Sequence, residues 1–345
     1  MYNEVIKQLM EYSCPSIKYR IKKEILEEDS DMDQSQYEIL QDSRVQYVFS
    51  WQNNDGYIGE VFHGGWIPQE KRKYSTTGAE SALRFLREMG LSKEHEFIRR
   101  GLEALLREGW NKGSSKWNSY IPEIGLHGED YIRSVVFSYY GIEDYDFIQT
   151  EIQRALEVLI RSEDIRNFDD ITGVYKNKSF YNSAVVLPEI YHLRLLAFTY
   201  GWRNKESVGK VKECIEHLIS LSPIPDIYIK YKSQLIAPAM LFPRDLSKRL
   251  SDFMDRDWFQ WFHTFDLFAR LGVVKDIPQL LDQLNELKAI LQQGEGFFRI
   301  KPDDYGFKKW GCYTGLALEK DWKNDRWMYD MTFRSLLILK YAGEL

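Results

Sequence analysis

Apolar residues recur through most of this chain at the spacing of an α-helix. Between Ala79 and Met89, for example, apolar side chains return every third or fourth residue, which places them on one helix face. Alternation of apolar and polar residues, typical of a half-buried strand, is almost absent. The pattern predicts an all-α protein with helices at about 44–51, 79–89, 93–108, 129–140, 147–161, 188–200, 206–221, 258–271, 278–293 and 325–341.

Two kinds of helix alternate along the chain. Segments 258–271 and 325–341 are apolar on nearly every side, whereas segments 151–162 and 210–221 are apolar on one side. A helix that is apolar all round is buried all round, so the first kind would form an inner ring and the second an outer ring. We predict one α/α toroid of about five to six helical hairpins. Residues 1–345 would form this single domain, with residues 1–43 as an N-terminal helical extension packed on it.

Local signals place the helix starts and the connections. Thr77 and Glu80 stand at the spacing of a capping box in front of an apolar run, so we assign Glu80 as the partner of Thr77. Residues 167–182 and the proline-rich residues 222–245 are predicted as loops.

Composition and charge exclude several classes to which this protein could belong. The formal net charge of −6 argues against a nucleic-acid binder, which needs a strongly basic face. The three cysteines are widely spaced and form no disulfide framework. The chain starts without a basic stretch followed by an apolar run, and it holds no apolar run of about 18 residues. We expect a cytoplasmic protein without a transmembrane segment.

Residues Arg44–Gly59 form a distinctive unit, RVQYVFSWQNNDGYIG. A short amphipathic helix with Val45, Val48, Phe49 and Trp51 on one side is followed by a polar Asp-Gly turn, an aromatic residue and another glycine. This unit resembles the repeat of squalene cyclases and of the β subunits of protein prenyltransferases. The resemblance implies an α/α toroid with a central, aromatic-lined cavity.

More of the chain is similar to a group of uncharacterised bacterial proteins related to that toroid. The similarity rests on a P-x-I-x-Y-R helix at Pro15–Arg20 and a Phe-Pro-Arg passage at Phe242–Arg244. A lysine-tryptophan stretch at Lys308–Trp310 precedes the final helix, as it does in that group. The group has no established activity that could be transferred to this chain.

The motifs of the two enzyme classes are incomplete here. The D-x-D-D motif of the cyclases has only partial matches, such as Asp255-Arg256-Asp257. The prenyltransferases bind zinc through Asp, Cys and His, and residues 261–264 resemble their histidine helix. Their D-x-C element is missing, because Trp310-Gly311 precedes Cys312. We therefore predict no metal site and no cofactor.

Polar residues on the most apolar helices are the candidate catalytic groups. His263, Asp266 and Arg270 share one helix face through their spacing, and a histidine beside a carboxylate is tuned for proton transfer. The alternative for these three residues is a buried, satisfied network that fixes the register of the helix. The same theme recurs in two further pairs, for which the alternative is an ordinary intrahelical ion pair. These pairs are Asp330 with Arg334 and Glu189 with His192.

We predict that the inner helices bring these groups to one central cavity. His263, Asp266 and Asp330 would be catalytic, and further side chains would bind substrate: Trp258, Trp261, Arg270, Glu189, His192, Trp310, Arg334 and His63. His63 belongs to a glycine-containing loop, where the alternative role is a tight connection.

Three functions remain open at this point. The first is an enzyme that acts by acid–base chemistry on an apolar or isoprenoid-type small molecule. The second is a non-catalytic toroid that binds a peptide or a protein partner. The third is a glycan-active toroid, for which two carboxylates about 5–10 Å apart would be expected.

Overall fold

The structure is a computed structural model that describes residues 1–28, 34–64, 77–107, 128–237 and 245–345. The Phe242–Arg244 passage lies outside these residues. Helices make up most of the described chain: α1 (Tyr2–Tyr12), α2 (Pro15–Arg20), α3 (Gln34–Gln41), α4 (Ser43–Phe49), α5 (Ala79–Glu88), α6 (Glu96–Leu106), α7 (Glu129–Tyr139), α8 (Asp146–Ser162), α9 (Ile190–Ala197), α10 (Lys205–Ser220), α11 (Asp257–Leu271), α12 (Pro278–Gln293), α13 (Asp304–Lys308) and α14 (Trp327–Tyr341).

The chain divides into two compact units. The first comprises Met1–Lys112, Met254–Asp266 and Asn285–Leu345, and the second comprises Gly113–Phe253 and Leu267–Leu284. Helices α11 and α12 contribute residues to both units. The toroid and the single domain of residues 1–345 remain predictions.

The predicted contrast between buried and half-exposed helices is confirmed. Every residue of α14 from Asp330 to Leu339 is buried. Helix α8 instead buries one stripe, at Ile148, Ile152, Ala155 and Leu159, and leaves the opposite side to solvent. In these two helices, the apolar surface that the sequence predicts therefore matches the surface that packing buries.

The prediction of an all-α chain holds only approximately, because the second unit contains a four-stranded mixed sheet. Its strands pair in the order β1-β2-β3-β4, with antiparallel outer pairs and a parallel central pair. The strands are β1 (Thr172–Tyr175), β2 (Lys178–Tyr181), β3 (Ile227–Tyr231) and β4 (Gln234–Ile236). These segments were predicted as loops. Strands this short hold too few alternating positions to give a clear period.

The Arg44–Gly59 unit has the helix and the turn that its sequence predicts. Asp42 caps α4 by accepting a hydrogen bond from the Arg44 amide, and Val45 and Val48 are fully buried. Gly56 closes the polar turn with φ +90°, a conformation that favours glycine. The Gln52 side chain then donates to the carbonyl oxygens of Gly56 and Phe97, which ties the turn to α6.

The N-terminal residues are part of the first unit's core. Leu9 and Ile17 are completely buried, and Pro15 occupies the first turn of α2, where its missing amide hydrogen costs nothing. The Arg20 guanidinium lies 5.1 Å from the centre of the Phe333 ring on α14.

Candidate functional site

A row of charged side chains runs along one buried face of α5. Glu80, Arg84 and Glu88 are spaced four residues apart, so successive members lie one turn above each other. Glu80 is 1% exposed and Arg84 is 4% exposed. Buried charges need partners, and each member of this row binds a different segment of the first unit.

Glu80 pairs with His63. The imidazole Nδ1 of His63 lies 2.7 Å from a carboxylate oxygen of Glu80. Burial lowers the pKa of His63, but the hydrogen bond and the negative charge of Glu80 outweigh burial and raise that pKa above its usual value. The pair is therefore an ion pair over a wider pH range than an isolated histidine would allow.

Backbone pairing fixes this contact. The amides of Glu60 and Val61 donate to the Thr77 carbonyl, and the amides of Ala79 and Glu80 donate to the carbonyls of Val61 and Phe62. Gly64 and Gly78 lie so close that a Cβ atom on Gly78 would collide with the Gly64 backbone. Glycine at these positions lets the two segments approach until His63 reaches Glu80.

The predicted capping box at Thr77 and Glu80 is wrong. Gly78 is the N-cap of α5, and the Thr77 amide binds the carboxylate of Glu60. The spacing of Thr77 and Glu80 fits a capping box, but in the folded chain the Glu80 carboxylate contacts the His63 imidazole.

Arg84 holds the loop that carries Cys312. Its guanidinium donates to the carbonyls of Gly311, Thr314 and Gly315 and lies 5.1 Å from the centre of the Trp310 ring. Cys312 is 8% exposed, and its thiol donates to the Gly64 carbonyl at 3.3 Å. Arg84 thus brings a cysteine from near the C-terminus to the His63 loop.

His63, Glu80 and Cys312 together form a cluster with the chemistry of a metal site. One donor atom from each residue, a nitrogen, an oxygen and a sulfur, lies within 4.8 Å of the other two. Nitrogen, sulfur and carboxylate oxygen are the ligands of zinc, at bond lengths of about 2.0–2.3 Å. The side chain of His63 is 43% exposed, whereas Glu80 and Cys312 are buried, so the cluster opens toward solvent on the histidine side.

Glu88 forms the other end of the row. Its carboxylate lies 2.6 Å from the Arg20 guanidinium and 2.8 Å from that of Arg334. Burial alone would raise the pKa of Glu88, but the positive charges of Arg334, Arg20 and Arg84 lower it far below its usual range. Arg334, one of the predicted substrate-binding residues, also donates a hydrogen bond to the Leu316 carbonyl at 2.6 Å.

Asp330, a predicted catalytic residue, is fully buried and binds backbone and indole groups. It accepts hydrogen bonds from the amides of Leu318 and Glu319 and from the indole nitrogen of Trp322. Burial and the negative charge of Glu319 raise the pKa of Asp330 to about 6. These contacts give Asp330 a role in fixing the 318–322 loop, and its catalytic role remains a prediction.

The variant Asp330→Asn is expected to change how stability depends on pH. Because the pKa rises from 3.8 in the unfolded chain to about 6 in the folded protein, folding takes up a proton between these values. The contribution of Asp330 to the free energy of unfolding should therefore fall as the pH rises from about 4 to about 6, and asparagine removes this contribution. Urea denaturation across that range measures both slopes; equal slopes would contradict the prediction.

The other predicted catalytic residues lie on α11. His263 is 6% exposed, and its ring centre is 5.7 Å from that of Phe259. Asp266 is half-buried. The Arg270 guanidinium, in the second unit, lies 4.7 Å from the centre of the Phe198 ring. Convergence of these groups on a central cavity remains a prediction.

Glu189 and His192 form the capping box of α9. The Glu189 carboxylate accepts from the His192 amide, and the His192 ring accepts from the Glu189 amide at 2.9 Å. Both side chains thereby satisfy amides at the helix start. Their predicted contact with substrate is untested.

The predicted tryptophans pack against other side chains of the first unit. Trp258 and Trp261 are each 2% exposed, and their ring centres are 5.9 Å apart. Trp258 also contacts Phe298 at 5.1 Å, and Trp310 contacts Phe85 at 4.9 Å. These rings contribute to the core, whether or not they also meet a substrate.

The sequence prediction missed Glu80 and Cys312 as site residues. One sequence signal could have identified Glu80: it belongs to a row of charged residues on an otherwise apolar helix face, and such charges need partners when they are buried. Cys312 was weighed as a zinc ligand but set aside, because Trp310-Gly311 before it does not match a D-x-C element.

Comparison with known proteins adds no relative. The chain matches no protein-family model, no curated protein and no solved structure. Among the described residues, no helix is long and apolar enough to cross a membrane.

Proposed function

We propose that the protein binds a zinc ion between His63, Glu80 and Cys312 and uses it in catalysis. The observation that carries the proposal is the convergence of three different donor atoms within 4.8 Å of one another. Three protein ligands are typical of catalytic zinc sites, because the fourth position then remains for water or substrate. The partial exposure of His63 provides access for a small molecule.

The residues would each contribute in a defined way. Cys312 loses its thiol proton on ligation and exchanges the Gly64 carbonyl for the ion. Glu80 supplies a carboxylate oxygen, and His63 must be neutral to ligate. Bound zinc would supply Lewis-acid activation of water or of a substrate carbonyl. Because protons leave on binding, zinc affinity should rise with pH.

Zinc titration against a competing chelator tests the proposal. We expect the wild type to bind one zinc ion, and we expect Cys312→Ser and His63→Ala to bind zinc about 100-fold more weakly, because each removes a direct ligand. Substitution with cobalt should give a thiolate-to-metal absorption band in the wild type and none in Cys312→Ser.

Two variants outside the cluster serve as controls. Cys214→Ser removes a buried thiol of the second unit, and His95→Ala removes the imidazole that caps α6. Both should bind zinc as the wild type does. A wild type that loses zinc to the chelator, or site and control variants of equal affinity, would reject the metal site.

The contact between His63 and Glu80 also favours a second candidate function, a thiol nucleophile. A carboxylate that orients an imidazole beside a cysteine is the arrangement of cysteine hydrolases. Alkylation of Cys312 by iodoacetamide separates the two candidates. Fast alkylation that is lost in His63→Ala and unaffected by zinc supports the nucleophile, whereas protection by zinc supports the metal site.

The sequence resemblance adds a substrate class, an apolar or isoprenoid-type molecule. Trp310 and Tyr313 flank Cys312, and aromatic rings suit apolar ligands. Native mass spectrometry of the zinc-loaded protein tests this class through a retained organic mass. A protein mass with zinc alone favours the alternative, binding of a peptide or protein partner.

A further inference from the structure

The mixed sheet of the second unit exposes a face that is built from aromatic and lysine side chains. The strand register places Tyr175 opposite Lys178 and Phe180 opposite Tyr228. Because side chains alternate along a strand, these four residues and Lys230 share one face. We call this face the sheet platform: Tyr175, Lys178, Phe180, Tyr228 and Lys230.

On the opposite face of the sheet, the residues of β3 pack inward, whereas Val174 of β1 is 77% exposed. Ile227 and Ile229 alternate with the platform residues of β3, and they are 0% and 3% exposed. On the platform, Lys178 and Lys230 are exposed, whereas the three aromatic residues are half-buried. At β3, the platform is thus the outer surface of this sheet.

The aromatic rings and the lysines of the platform interleave. The Lys178 ammonium lies 4.2 Å from the centre of the Tyr228 ring and donates to its hydroxyl at 2.8 Å. The Lys230 ammonium lies 4.6 Å from the centre of the Tyr175 ring and 4.9 Å from that of Phe180. The Lys176 ammonium also lies over the Tyr175 ring, 5.1 Å from its centre.

Local charge distinguishes the platform from the rest of the chain. Lys176 and Lys232 stand in the two hairpin turns beside the platform lysines. Residues 171–182 and 227–237 contain no aspartate or glutamate, and the closest acids in sequence, Asp170 and Asp226, precede the strands. The sheet therefore carries a local basic patch, although the net charge of the whole chain is −6.

We propose that the sheet platform binds single-stranded nucleic acid. Half-buried aromatic rings on the outer face of a sheet can serve as stacking sites for unpaired bases, and lysines between them can pair with the phosphates. The overall charge predicted no nucleic-acid partner, but binding depends on the local field at the surface that is contacted. The proposal rests on residues of the second unit and is independent of the zinc site.

Base stacking on an aromatic ring is stronger than the lysine contact that it would replace. An exposed cation–π contact is equivalent to about a two- to fivefold change in an equilibrium constant. Stacking of one base on an aromatic ring is equivalent to about a five- to 150-fold change. A base that displaces a lysine from a ring therefore gains more than the ring loses, and the released ammonium can pair with a phosphate.

Fluorescence anisotropy with labelled oligouridylate and oligothymidylate of about 12 nucleotides tests the proposal. The wild type should bind at least one of the two more tightly than a duplex of equal length, and comparison of the two tells RNA from DNA. Tyr228→Ala should weaken binding about tenfold by removing one stacking ring. Lys178→Glu/Lys230→Glu should weaken binding at least tenfold and reduce its salt dependence.

The matched control is Lys205→Glu/Lys212→Glu, which makes the same change in net charge on α10 of the same unit. It should bind like the wild type, and circular dichroism checks that all variants are folded. No binding by the wild type overturns the proposal. Equal binding of duplex and single strands, with no effect of Tyr228→Ala, also overturns it, because charge alone would then explain the attraction.

Discussion

Replacing Glu88 with alanine is expected to destabilise the protein by about 3–5 kcal/mol. The Glu88 carboxylate lies between the guanidinium groups of Arg20 and Arg334, whose side chains are 3% and 4% exposed. Without the carboxylate, Arg334 loses its ion pair with Glu88, and Arg20 retains its ion pair with Glu24. Breaking a buried ion cluster from one side costs more than the cluster contributes as a whole.

Urea denaturation followed by tryptophan fluorescence measures this effect. Glu103→Ala is the matched control, because Glu103 pairs with Arg99 at 2.7 Å on the surface of α6, with both side chains 54% exposed. That variant should lose about 0.5 kcal/mol or less. If Glu88→Ala lowers the free energy of unfolding by less than about 1 kcal/mol, the ion cluster does not stabilise the protein as predicted.

A triple replacement, Arg20→Met/Glu88→Leu/Arg334→Met, extends the argument. It removes all three charges and fills the space with apolar side chains of similar size. Part of the stability lost in Glu88→Ala should return, because Glu88 and Arg334 no longer leave a charge without its counter-charge, although Glu24 then loses its ion pair with Arg20.

Replacing Arg84 with methionine is expected to destabilise the protein by about 3 kcal/mol and to weaken zinc binding at least tenfold. Arg84 donates to the carbonyls of Gly311, Thr314 and Gly315 and covers the Trp310 ring. Methionine keeps the apolar part of the side chain but leaves these carbonyls without that donor. The loop that positions Cys312 would then lose its main anchor.

Denaturation and zinc titration of the same preparation separate the two effects. Arg87→Met is the control on the same helix, because Arg87 is more exposed and lies 3.9 Å from Glu24. It should lose about 1 kcal/mol or less and bind zinc normally. If Arg84→Met is destabilised but binds zinc as tightly as the wild type, Arg84 supports the fold without positioning Cys312.

Local patterns were sufficient for much of the helical structure. The position of α5 followed from its apolar period, and the buried character of α14 followed from apolar residues on all its sides. The turn at Asn53–Gly56 followed from residues that favour it. These features depend on residues a few positions apart, so the chain's own spacing contains the information.

The strands were missed because their evidence is not local. Three to five residues give no reliable alternation, and β2 is stabilised by pairing with β3, far along the chain. The same pairing creates the sheet platform, whose aromatic and lysine residues belong to two separate hairpins. Only the register of the strands places them side by side.

The sequence by itself determined which residues are apolar, which helices can be buried, and which of those helices contain charged side chains. Tertiary structure alone decided that Glu80 meets His63 and that Arg84 brings Cys312 to them. A buried charge or donor must be satisfied, but the sequence does not specify by which partner. That choice depends on backbone segments that approach each other only in the folded chain, as Gly64 and Gly78 do here.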